Sequence, residues 1–84
     1  MPQGGGVSRR STDITIALAL GKAIRARRLA LSLTQERVAE LSDGIDAVYF
    51  GRIERGENNL SVSLLVAVAR ALSTTPSELL KGIE

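Results

Sequence analysis

Eighty-four residues, 44% of them apolar and with a mean hydropathy of +0.11, suffice for one small packed domain and argue against disorder of the whole chain. The absence of cysteine and histidine excludes disulfides, thiolate or imidazole metal sites and histidine-based acid–base catalysis. Net charge is only +2, yet Lys22, Arg25, Arg27 and Arg28 crowd one segment, a distribution that suits either a polyanionic partner or a plain solvated helix face.

Residues 1–12 carry a glycine triplet followed by "VSRRST", a composition that predicts a flexible basic arm. Arg9 and Arg10 in that arm can follow a phosphate backbone or enter a minor groove, or simply keep the tail solvated. Thr12 or Asp13 can cap a first helix from Ile14 to about Leu31, in which Ile14, Ala17, Leu20, Ile24, Arg28 and Leu31 share one side. Arg28 is out of place on that apolar stripe. The run "ITIALALG" falls well short of the about 18 to 20 residues that span a bilayer, and the "KAIRARR" after it is unlike a cleavage site. A cytoplasmic protein without a membrane partner is expected.

Thr34 is placed to cap a short second helix from Gln35 to about Leu41, with Glu36 in the first turn and Val38, Ala39 and Leu41 as buried positions. Gly44 in "SDG" stops it by taking a left-handed backbone conformation. Asp46 then caps a third helix, Ala47 to about Arg55, closed by Gly56. In this helix Phe50 and Ile53 face inward beside Tyr49, while Ala47, Val48, Gly51, Arg52 and Arg55 fall outward. After the polar loop "GENNL", Ser61 caps a fourth helix whose run "VSLLVAVARAL" is apolar enough to be central. "TPSE" opens the last helix, with Thr75 as cap, Pro76 at the first position and Glu78 completing a capping box; Leu79, Leu80 and Ile83 form its apolar face. With one Phe, one Tyr and no Trp, the core is built from Leu, Ile, Val and Ala, and the fold class is all-α with five helices.

The segments "LTQERVAEL", "GIDAVYFGRIERG", "LSVSLLVAVARAL" and "TPSELL" resemble, over residues 18–81, the lambda repressor/Cro-like helix-turn-helix family, also called the XRE family. The pattern GID…Y…IERG.NNLSV is similar to that of restriction-modification controller proteins within it. The resemblance implies a lambda-repressor-like DNA-binding domain over residues 13–84, with the second and third helices as the reader. It further implies a homodimer on a near-palindromic double-stranded DNA operator, and the function expected on this basis is a repressor or autoregulator that needs no cofactor. Arg28 and Glu54 match two positions that are paired in the family, and an ion pair there would account for a charge on the apolar stripe.

Placed in that fold, each candidate has a definite chemistry. Gln35, with Thr34 beside it, stands where exposed backbone N–H groups favour a phosphate. Ala47 and Val48 can pack on a thymine methyl group, and Asp46 can accept from a cytosine amino group where it is not used as the cap. Arg52 has the fork geometry for guanine O6 and N7, or else touches phosphate only. Arg55, Asn58 and Asn59 lie where a loop follows the sugar-phosphate backbone, although the two asparagines serve equally as turn formers. Leu79, Leu80 and Ile83, with Leu65 or Val66, are the candidate dimer interface, and the same side chains can instead close a monomer core.

Two departures from the family pattern stand out. The stretch between Ala39 and Gly44 is one residue longer than usual, and Ala47 replaces a side chain that is often long and polar in relatives. No nucleophile has a base beside it, so catalysis is not expected. The rival reading is an antitoxin-like helical module whose main partner is another protein. Duplex binding with a steep salt dependence separates the two.

Overall fold

Thr34, Asp46, Ser61 and Thr75 each occupy extended backbone immediately before a helix, and each side-chain oxygen accepts a backbone N–H from the first turn that follows. These caps define the starts of α2 (Gln35–Leu41), α3 (Ala47–Glu54), α4 (Val62–Ala71) and α5 (Pro76–Leu79), which follow α1 (Gly4–Ala30). The structure, a computed structural model, describes the backbone of residues 4–83 and the side chains of residues 14–83. No strand occurs among the described residues, as an all-α chain requires. The Thr75 half of the expected capping box forms, Oγ1 accepting from Glu78 N at 3.2 Å.

Helix α1 begins at Gly4, not at Ile14, so residues 4–13 are helical where a flexible arm was expected. No proline lies between Gly4 and Ala30, and extending an existing helix adds one hydrogen bond per residue without a new nucleation cost. Thr12 and Asp13 therefore lie inside α1 and do not cap it. The side chains of Arg9 and Arg10 fall outside the described residues.

Leu20 and Ile24 of α1, Val38 and Ala39 of α2, Phe50 and Ile53 of α3, Val68 and Ala69 of α4, Leu72 and Leu79 make one continuous core. Full burial of one such aliphatic or aromatic side chain contributes about 1.5–3 kcal/mol, so this cluster is the main source of stability. Helix α3 packs on both α1 and α2, α2 also meets α4, and α5 closes against α4 and α1. The approach of α1 to α3 is unusually close because Gly21 faces it. A Cβ at position 21 would stand 2.5 Å from the Ile53 carbonyl oxygen and 2.6 Å from that of Glu54.

Two residues expected inside are outside. Ile14 is 53% exposed because α1 extends past the helices it packs on, and Leu41 is 44% exposed at the last turn of α2. The α2–α3 turn absorbs its additional residue by two successive left-handed positions, Asp43 at φ +63° and Gly44 at φ +68°. Asp is among the few non-glycine residues that tolerate this conformation. Ser42 is fully buried beneath the turn, and its hydroxyl donates to the Val38 carbonyl at 2.7 Å, which removes the cost of burying it.

Half of the basic cluster on α1, Arg27 and Arg28, is engaged in structural hydrogen bonds. Arg27 donates from Nε to the Leu72 carbonyl at 2.9 Å and from Nη2 to the Ser73 carbonyl at 3.0 Å, placing a cation on the negative end of α4. Lys22 and Arg25 remain exposed.

Candidate nucleic-acid interface

Phe50 and Ile53, 0% and 2% exposed, anchor α3 from beneath, and the helix periodicity then turns Val48 and Arg52 to solvent. Val48 is 68% exposed, Ala47 is half-buried and Arg52 is exposed. Asp46 is the cap of α3, its Oδ1 accepting from Val48 N at 2.6 Å, so that oxygen is not free for a base. The expected cytosine contact is thereby confined to Oδ2, which has no partner among the described residues.

A chain of three polar side chains ties α3 to its neighbours. Arg28 donates from Nε to Glu54 Oε2 at 2.6 Å and from Nη2 to Glu54 Oε1 at 3.0 Å, a two-pronged pair between residues only 9% and 7% exposed. Its remaining nitrogen, Nη1, donates to the Leu33 carbonyl at 3.0 Å. The hydrogen bond to Glu54 raises the pKa of Arg28, offsetting the opposite effect of burial, so the guanidinium stays charged. Gln35 completes the chain by donating from Nε2 to Glu54 Oε1 at 2.9 Å. No buried side-chain nitrogen or oxygen among the described residues lacks a partner.

A shallow concavity opens between the start of α2 and the outer face of α3, lined by Gln35, Glu36, Ala47, Val48, Gly51 and Arg55. A family model described as helix-turn-helix matches residues 24–79, the stretch from the end of α1 to α5 that contains this concavity. The chain belongs to the XRE/Cro-like helix-turn-helix family.

Relatives in sequence include control protein C.SmaI of Serratia marcescens, which is 39% identical over 61 residues, 73% of this chain and 71% of that one. Among solved structures, the restriction-modification controller protein C.AhdI of Aeromonas hydrophila aligns with a TM-score of 0.72 at 40% identity, covering 75% of this chain and 94% of that one. The clp gene regulator ClgR of Corynebacterium glutamicum aligns with a TM-score of 0.73 at 32% identity, covering 77% and 83%. The chain is thus an XRE-type DNA-binding regulator, and α2 and α3 are its helix-turn-helix.

On this XRE fold, Gln35, Arg55, Ala47, Val48 and Arg52 share one exposed side of α2 and α3, with Thr34 at its edge as the α2 cap. Arg55 is already engaged, Nε lying 2.8 Å from Glu57 Oε2. The bond raises the pKa of Arg55 and lowers that of Glu57. Both side chains are exposed, so the pair is weak and can yield to a phosphate. Asn58 is half-buried and Asn59 exposed, and neither side chain has a hydrogen-bond partner among the described residues.

The expected dimer contact at Leu79 is corrected. This side chain is 4% exposed and belongs to the subunit's own core, because α5 lies flat on α4 and α1. Leu65, Leu80 and Ile83 are half-buried against the same core, and Val66 lines a groove with Leu41 and Arg70. The Gln35–Glu54 bond and the Arg27 contacts join residues 19 and 45–46 positions apart and leave no local signal in the sequence.

Gly51 was expected to face outward, and it does lie on that side, but Gln35 and Arg55 cover it. A Cβ there would meet Arg55 Nη1 at 3.3 Å and the Gln35 amide at 3.7 Å. The tip of Arg55 is free to swing, and alanine in a helix is favoured over glycine by about 0.5–1 kcal/mol. Gly51→Ala is therefore expected to raise Tm by a few degrees in a thermal melt. A lower Tm would mean that Arg55 is held more firmly than its exposure implies.

Proposed function

We propose that this chain is a sequence-specific transcriptional regulator that occupies a near-palindromic duplex operator as a homodimer, in the cytoplasm, and represses its own or an adjacent promoter. The observation that carries the reading is the division of α3. Its inner face is locked by Phe50, Ile53 and the Arg28–Glu54–Gln35 chain, and its outer face presents Val48 and Arg52, both exposed among the described residues. A rigid helix with one open side chain row is what insertion into a major groove needs.

In this reading Arg52 supplies the hydrogen-bonded base contact, Ala47 and Val48 the apolar ones, and Gln35, Thr34, Arg55, Asn58 and Asn59 hold the flanking phosphates. Arg9 and Arg10 add non-specific attraction. The half-exposed edges of Leu65, Val66, Leu80 and Ile83 are the apolar surface left for the partner subunit.

The test is selection of bound duplexes from a random pool. Two symmetric half-sites about 10 base pairs apart are expected, with affinity falling steeply as salt rises. Binding that is absent, or indifferent to salt, would favour a module devoted to a protein partner. Arg52→Ala is expected to reduce discrimination between the selected duplex and random DNA by about 1–3 kcal/mol. Unchanged discrimination with weaker overall binding would assign Arg52 to phosphate alone.

A further inference from the structure

We propose that the Asp46–Val48 tip of α3 is built to read 5-methylcytosine in each half-site, so that C5 methylation of the operator strengthens occupancy. This rests on the placement of α3 in the major groove argued above, and it concerns which base edge that groove presents.

Two features of different chemistry are joined at this tip. Val48 is 68% exposed, which leaves its isopropyl group largely open to solvent. The Asp46 carboxylate is bonded to the backbone of the same residue, Oδ1 accepting from Val48 N at 2.6 Å. Oδ2 has no partner among the described residues. An acceptor and an exposed apolar group therefore stand together at the start of α3.

In the major groove the pyrimidine ring displays its substituents at C4 and C5 side by side as well. Cytosine offers an amino donor at C4, and thymine offers a carbonyl acceptor at C4 with a methyl group at C5. A carboxylate accepts from the amino group and is repelled by the carbonyl oxygen. An isopropyl group gains by covering the methyl group. Cytosine thus satisfies Asp46 alone and thymine satisfies Val48 alone, whereas 5-methylcytosine satisfies both. Guanine presents two acceptors at this edge and is disfavoured by the carboxylate. The cap bond fixes the direction of the Asp46 side chain, so reading costs it no rearrangement. Arg52, one turn further along, contacts a different base pair.

The experiment takes a duplex recovered by the selection above and resynthesises it with 5-methylcytosine at each cytosine in turn, and with thymine at the same places. One cytosine per half-site is expected to bind about fourfold more tightly when methylated, the value of one buried methyl group. In Val48→Ala that gain is expected to fall to about one. Asp46→Asn keeps a competent cap but replaces the carboxylate with an amide, and it is expected to narrow the preference for 5-methylcytosine over thymine at that position. Absence of any responsive cytosine, or a methyl gain that survives in Val48→Ala, overturns the proposal while leaving duplex binding intact. Failure to bind any duplex defeats the underlying reading as well, and the two failures are distinguished by the unmethylated control.

Discussion

Glu54→Ala is expected to remove about 3–5 kcal/mol of stability, because it strands a guanidinium that is only 9% exposed. Against the about 5–15 kcal/mol that holds a typical domain together, this is a large fraction of the whole. At about 4–8 °C per kcal/mol for a chain of this size, Tm falls by more than 10 °C. Thermal and urea denaturation read the effect directly, and an unaltered melt would show that Arg28 finds other solvation when its partner is lost. The loss comes from leaving Arg28 alone more than from any net worth of the pair. Replacing both residues together, as Arg28→Met with Glu54→Leu, is therefore expected to be much closer to neutral in the melt. That double variant still lacks the acceptor for Gln35 Nε2, so it tests whether the pair matters for holding Gln35 at the start of α2 apart from its part in folding. Weaker binding to all duplexes alike in a well-folded double variant is the expected result.

The starts of α2 to α5 were legible because capping is local. Thr34, Asp46, Ser61 and Thr75 bond to N–H groups two or three residues ahead, within reach of any sequence reading. Phe50 and Ile53 were legible as the inner face of α3 by spacing, and the Arg28–Glu54 pair by the cost of a charge on an apolar stripe together with the family pattern. Spacing also tells which side of a helix is apolar, but not where the neighbouring helix ends. This is why Ile14 belongs to the apolar side of α1 and yet stands exposed. Leu79 went the other way, since an apolar face on a terminal helix serves a core or a partner equally well until the packing is known. Gly21 carried no message at all in the sequence. A glycine inside a helix looks like a weakness, and only the carbonyls of Ile53 and Glu54 lying over it explain the choice. The same limit applies at the reading surface. Exposure of Val48 and Arg52 followed from periodicity, but the cap bond of Asp46 decides which of its oxygens remains available.

Gly56→Ala is expected to cost about 2–5 kcal/mol, from two separate causes that can be measured apart. Gly56 sits at φ +75°, where an L side chain costs roughly 1–2 kcal/mol. Its missing Cβ is also the space in which α1 runs, since a Cβ there would lie 2.7 Å from Leu18 Cα and 2.6 Å from Leu18 Cδ2. Overpacking of this kind adds about 1–3 kcal/mol. Gly44 provides the comparison, with φ at +68° and nothing within 4 Å of an added Cβ. Gly44→Ala should therefore show the backbone cost alone, and the excess loss in Gly56→Ala should measure the collision with α1. Leu18 is 44% exposed, so Leu18→Ala by itself is mild, and in combination with Gly56→Ala it should recover part of that excess. Equal losses at positions 44 and 56, or no recovery in the double variant, would show that α1 does not bear on the end of α3 as the structure has it. A measured excess means that α1 sets how far the outer row of Val48 and Arg52 stands from the body of the protein, which links the packing of the first helix to the depth at which the third can enter DNA.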